Sequence, residues 1–418
     1  MTLRGPLKQV KRGGSSMKHR DRQPPEENLS AGRVEYLEQA RQRQRRRRIR
    51  RTAALVLLLT AVVAFATGLV GASVAKAKDL VDSISIALRP DAGWPQNTGI
   101  PERLQLEPLS GCFVELGEDA CVVYSNTGSR LNFIQSGFAR PALAAGRTRF
   151  VLYNRSGNEL RVESRTQNLY TKTTENGLYL CAVAPDGKVA TVTGEVRNVA
   201  ELVVYSPTMT QQLSWGLTSA EGIPLRMEFA PDSRRLAVAA VTSRSGQMVT
   251  NLYLLPLNQG DPQLLASQQD LIQWMGWLSG DALCVVYSHS VVLYDAKGAE
   301  RGRYDFPGQE MTAISQDAGG LGLLLRSGQL SAAVMLDRGL GVQYSGAVPT
   351  STGVLRAGQN FYLLTDSGVE CFSLAGERLW GQQTPNRPQG LLPAKEGVLL
   401  LSGNSVQLLA PPQPEENT

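Results

Sequence analysis

Apolar and polar residues follow three different patterns along this chain. Residues 1–51 are polar and basic, with almost no large apolar side chain before residue 30, a composition that predicts disorder. From Ser30, which can cap a helix, Val34, Leu37 and Ala40 recur at helical spacing. Residues 52–75 are then uncharged and contain no Asn, Gln, His or Pro. As a helix this stretch reaches roughly 36 Å, enough for a hydrocarbon core of about 30 Å, and a helix satisfies its own backbone in lipid. The pattern predicts a transmembrane signal-anchor helix over 52–75.

Beyond it, residues 76–102 carry Pro90, Pro95 and Pro101 and read as a stalk, with a turn or two of amphipathic helix around Leu80, Val81, Ile84, Ile86 and Leu88. Residues 103–411 change to short apolar or alternating runs broken by turn residues, and 412–418 form a polar tail. Paired runs recur: Cys121–Tyr124 with Leu131–Ile134, Arg149–Tyr153 with Leu160–Val162, Val189–Val192 with Leu202–Tyr205, and Arg235–Val241 with Leu252–Leu255 across a longer loop. Leu283–Tyr287 with Val291–Tyr294, Leu323–Leu325 with the run after Leu330, Phe361–Leu364 with Cys371–Leu374, and Val398–Leu401 with Val406–Leu409 complete the series. Most are joined by a Gly turn. Eight hairpins at about 38 residues per unit predict an all-β fold, a β-propeller of eight blades, with seven as the alternative. The last unit has room for three strands only, and Arg103–Pro108 is the expected outer strand that closes the ring.

Charge changes the picture by giving the chain a direction. Residues 1–78 hold 18 basic and 5 acidic groups, net +13, which leaves −7 on the other 340 residues. The arginine run Arg41 to Arg51 abuts the apolar stretch, whereas only Lys76 and Lys78 follow it. Positive flanks stay inside, so the N-terminus is expected in the cytoplasm and the propeller outside, in a single-pass protein of the cytoplasmic (inner) membrane. A cleaved signal peptide at Ser73-Val74-Ala75 is the rival reading, opposed by the long n-region and long apolar stretch. The arginines suit anionic lipid headgroups. No aromatic residue is interleaved to stack on bases, so no nucleic acid is expected as partner.

Phe229-Ala-Pro-Asp-Ser-Arg-Arg-Leu-Ala-Val238, with a weaker copy at Val183-Ala-Pro-Asp-Gly187, resembles the repeat of TolB-type, WD40-like propellers. Phe372-Ser-Leu-Ala-Gly-Glu-Arg-Leu-Trp380 is similar to the repeat of PQQ-like propellers, as is the stretch from Leu293 through Tyr304. The whole arrangement resembles bacterial single-pass membrane proteins with an extracytoplasmic propeller, a resemblance that implies a fold and no activity.

Candidate chemistry is sparse. His289, the only histidine after His19, falls in a hairpin turn and reads as solvated rather than as part of a triad. One histidine and scattered cysteines supply no zinc site, and no Walker-type loop is present. Quinoprotein dehydrogenases share the PQQ-like fold, but their adjacent cysteine pair is absent. Trp380, Trp274 and Trp277 read as packing between blades, with a sugar- or peptide-gripping role open for the last two. Cys112 and Cys121 flank a turn and either pair or stay free. No catalytic, cofactor-binding or metal-binding residue is therefore assigned, and no cofactor. The expected role is a binding or scaffold module for a protein, peptide or cell-envelope glycan. The alternatives are a glycan-active propeller enzyme, which needs carboxylates converging at the axis, and an envelope sensor head.

Overall fold

A computed structural model describes residues 69–258 and 261–411. Among these residues are one helix, α1 (Leu69–Ala87), and thirty-two strands in eight four-stranded antiparallel sheets. In seven sheets the strands follow one another as a meander. First strands of neighbouring sheets touch one another and so line a central axis. This is an eight-bladed β-propeller.

Each blade buries both faces, which explains why its middle strands are nearly continuous apolar runs. In blade four, Leu236, Val238 and Ala240 pack against blade three, whereas Ala237 and Ala239 point the other way, against blade five. The strand period of two distributes one run between two cores. Eight apolar clusters result among the described residues, one between each neighbouring pair of blades. The cluster joining Leu399 and Val406 of blade eight to Phe113 and Tyr124 of blade one shows that the ring is closed.

Closure uses a different segment from the one expected. Arg103–Leu109 is the innermost strand of blade one. The missing outer strand of blade eight is Gln96–Asn97, which pairs with Val406 and Ser405. The propeller therefore begins before residue 103, inside the expected stalk. The polar, proline-bordered segment before it is held along blade one: Gly93 N–H donates to Thr127 O at 2.9 Å, and Trp94 Nε1 to Asn126 O at 3.2 Å. A Cβ on Gly128 would sit 2.1 Å from Gly93 O, so only glycine lets the segment cross this turn.

The rest of the expected stalk is α1, and it lies docked on the propeller. Its docked face turns Asp79, Asp82 and Ser83 inward, with Ala75 buried beside them and Ile86 packed against the cluster between blades one and two. Arg149 donates from Nε to Asp79 at 3.0 Å, from Nη2 to Ala75 O at 3.1 Å, and from Nη1 to Pro207 O at 3.1 Å. Arg165 donates to Asp82 at 3.0 Å and to Ser83 Oγ at 2.7 Å, and Thr166 also reaches Asp82. Both guanidinium groups are nearly fully buried.

No described helix is long and apolar enough to cross a membrane. Residues 52–68, most of the expected span, lie outside the described residues, as do the basic tail and residues 412–418.

Candidate binding site

Because the blades are antiparallel meanders, their turns fall on two rims. The turns that hold α1, at Ser110, Thr148, Arg165 and Pro207, join first to second or third to fourth strands and share one rim. The opposite rim carries the second-to-third turns and the connections between blades. There, near the axis, lies a recess of about 700 Å³ spanning blades two to five.

Its lining is built from three pieces of chain. Arg155 follows the second strand of blade two, and its turn is stitched to blade three by Ser156 N–H to Leu178 O at 2.7 Å and Leu178 N–H to Gly157 O at 2.6 Å. That stitch fixes Arg155 beside Tyr179 and Leu180. Ile223, Pro224, Leu225 and Arg226 open the innermost strand of blade four (Ile223–Phe229), and Leu271, Ile272 and Gln273 lead into blade five. Strand pairing shifts between Pro224 and Arg226, leaving Leu225 as an extra, unpaired residue. Such a bulge re-aims side chains. Leu225 and Arg226 are both exposed, against the alternation of the strand.

Beside the recess stands a wall. The second and third strands of blade four, Arg235–Arg244 and Gln247–Pro256, have ten residues each, the longest in the ring. They are joined by Ser245 and Gly246, whose φ values of 51° and 79° match a type I′ turn. The expected longer loop is thus a continuing hairpin. Met248 on this hairpin and Ile223 border a second hollow of about 480 Å³.

Around the recess this rim exposes Tyr179 (41%), Ile223 (44%), Leu225 (45%) and Met248 (51%), with Val196 on the neighbouring blade-three turn. A contiguous exposed apolar patch marks an interaction surface. Arg155 and Arg226 line the recess, no carboxylate does, and neither arginine has an acidic partner among the described residues. Apolar walls and two unpaired guanidinium groups suit a ligand that is both apolar and anionic.

Carboxylates face the axis instead, toward the α1 rim. Glu228, near the end of its innermost strand, has its carboxyl pushed up to about 7, chiefly by burial, with the charge of Glu107 adding to the rise. Burial raises Glu107 as well. Blades one and four are not neighbours, so this influence crosses the channel. Glu228 opens onto the channel but is crowded by protein on most sides, and it is this crowding that raises its carboxyl.

Residues singled out by sequence take other places. His289 is exposed, with Nδ1 3.1 Å from Gln309 O. Trp380 packs edge-on to Tyr362 at 5.9 Å within the cluster between blades seven and eight. Trp277 is buried between blades four and five, and Trp274 packs between five and six. Neither lines the recess. All five cysteines are free and buried, Cys112 and Cys121 included. Burial pushes the Cys112 thiol up to about 12. Among the described residues no group of His, Cys, Asp or Glu could hold a metal. Sequence pattern singled out neither the bulge nor the patch. Its one signal was the apolar Ile223-Pro-Leu-Arg-Met227, which breaks strand alternation.

No curated protein matches the chain. Among solved structures it is similar to BamB from Moraxella catarrhalis, with 12% identity and TM-score 0.49 over 75% of this chain and 98% of that one. It is also similar to apo AztD from Citrobacter koseri, with 8% identity and TM-score 0.52 over 68% and 86%. At such identities the likeness to AztD shows the propeller fold alone. Residues 101–332, more than half of the chain, match a family of unknown function, DUF5711, and the protein belongs to that family.

Proposed function

We propose that this chain is a membrane-anchored, extracytoplasmic binding propeller that holds an apolar, acidic peptide segment of an envelope partner. The observation that carries the reading is the exposed patch of Tyr179, Ile223 and Leu225 around a recess lined by two unpaired arginines. Apolar walls bury a partner's side chains, and the guanidinium groups fix an acid among them. A glycan would ask for more polar groups in the lining than this recess offers. The anchor rests on the apolar run and its arginine flank. Ala75 is buried against the propeller, so a span starting at residue 52 ends before it, which still leaves the roughly 20 residues a crossing needs.

The test places a photo-crosslinking residue at Tyr179 or Leu225 in full-length protein in its native envelope, with exposed Leu379 on the outer strand of blade seven as control. One envelope protein captured from both recess positions, and lost when Arg155 and Arg226 become Glu, is the expected result. Adducts absent, or equal at Leu379, overturn the reading.

Glu107 and Glu228 favour a second reading, an enzyme acting on envelope glycan. A carboxyl raised to about 7, with a second carboxylate acting on it across the channel, is the pattern of a general acid with its partner.

A further inference from the structure

The hairpin of blade four reaches beyond the rest of its sheet. The innermost strand, Ile223–Phe229, pairs with Arg235–Arg244 only as far as Val241, and the outer strand, Gln263–Gln268, pairs with Gln247–Pro256 only from Thr250. Thr242 to Val249 therefore stand clear of both neighbours, and Ser243 to Met248 are exposed. Across the two-residue turn Arg244 pairs with Gln247, and bonded and non-bonded pairs alternate from there along the hairpin. The main-chain groups of Thr242 and Arg244 are thus used within the hairpin, whereas Ser243 turns its N–H and C=O toward the edge on which the innermost strand lies. Two residues back the Val241 carbonyl obeys the same rule: it faces Gly222, where a Cβ would sit 2.5 Å from it. No strand lies opposite Ser243, because the chain turns away at Gly222, whose N–H donates to Thr218 O at 3.0 Å. Neither main-chain group of Ser243 has a hydrogen-bond partner among the described residues.

This open edge faces the axis, on the rim that holds the recess. The hollow of about 480 Å³ beside it is lined by Ser243, Gly222 and Ile223, and Ile223 also lines the recess, so one groove leads from the recess to the edge. Arginine stands at both ends of the groove. Arg244 at the hairpin tip, like Arg155 and Arg226, has no acidic partner among the described residues. Glu221, the acid of the adjoining turn, accepts from Thr218 N–H at 2.7 Å and Trp215 Nε1 at 3.3 Å. We infer that the partner's segment is held as an added strand, its main chain paired with Ser243 on the axial edge of the hairpin. The inference rests on the binding reading above and says how the segment is gripped. A free strand edge is a template for another chain, and in strand addition the main chain supplies affinity while pockets for alternate side chains supply specificity. Side chains two apart in such a strand share a face. The occupant is therefore an extended segment whose apolar and acidic residues fall at every second position, turned to the recess walls and to the arginines. A sugar or a lipid has no row of amides to meet Ser243.

Full-length protein with the photo-crosslinking residue at Tyr179, in its native envelope, tests this through Ser243→Pro. Proline removes the outward N–H and no bond within the hairpin. Ser243→Ala keeps the main chain and removes only the hydroxyl. Met248→Pro makes the same change on the opposite edge, where Met248, the residue paired with Ser243, turns its own N–H outward. The protein adduct at Tyr179 is expected to fall about tenfold in Ser243→Pro and to persist in Ser243→Ala and Met248→Pro. An adduct unchanged in Ser243→Pro, lost alike in Ser243→Pro and Met248→Pro, or lost in Ser243→Ala overturns strand addition and leaves the recess reading standing. No protein adduct at Tyr179 in the otherwise native chain overturns both.

Discussion

Glu228, although it opens onto the channel, has its carboxyl pushed well above the ordinary range. Its folded pKa of about 7 lies above the ordinary 4.5, so between these values the native protein keeps a proton that the unfolded chain has lost. Stability from this group is full below pH 4.5 and falls as pH rises toward 7. Glu107, Glu115 and Glu163 are raised by burial too and act in the same direction. Thermal melts across this range should show Tm declining with pH, and Glu228→Gln should flatten part of that slope. A slope unchanged in the variant would mean that Glu228 titrates as a free carboxylate. If the chain cleaves envelope glycan, the same variant loses that activity. Pattern does not disclose such a residue, because burial of Glu228 comes from blades that meet only around the axis. Turn glycines divide in the same way. Gly128, Gly328 and Gly403 take the positive φ that their turns suggested, but in the Ser156-Gly157 turn Ser156 takes it instead.

Among the elements, α1 depends on two arginines that the propeller buries. Arg165→Ala leaves Asp82, 6% exposed, without its partner, a loss of about 3–5 kcal/mol when a buried pair is broken from one side. The helix can escape that cost by lifting off. Trypsin should then cut at Lys76, Lys78 and Arg89 in the variant, with the blades intact, while the native chain resists. Equal resistance in both would show that Arg165 does not hold α1. The amphipathic turn around Leu80 to Leu88 was visible in the sequence, but not that it docks on the propeller or by which side. The structure docks the side that carries Asp79 and Asp82, because Arg149 and Arg165 engage those two carboxylates. Strands were more legible. Seven of the eight hairpins read from the sequence join the second and third strands of a blade. The first, Cys121–Ile134, joins third and fourth, because Cys112–Gly117 was not recognised as a strand.

For the whole molecule, the closing strand is the point of weakness. It is two residues long, Gln96–Asn97, yet it covers the edge of Ser405–Leu409. A chain beginning at residue 69 should fold as a soluble ring. One beginning at residue 98 exposes that strand edge, a template for pairing with other chains. Size-exclusion chromatography and melting of the two should show association and a lower Tm only for the shorter one. Identical behaviour would mean that the ring closes without the strand.

Sequence alone determined the repeat and the all-β class and favoured eight blades over seven, since these follow from local alternation and turn chemistry repeated along the chain; the structure settled the count at eight. Sequence also determined where charge and apolar length change along the chain. Only the tertiary structure decided which segment closes the ring, which face of α1 docks, and where an unpaired apolar patch meets unpaired arginines. Each of these depends on residues far apart in the chain becoming neighbours, and periodicity within one strand or helix carries no information about that.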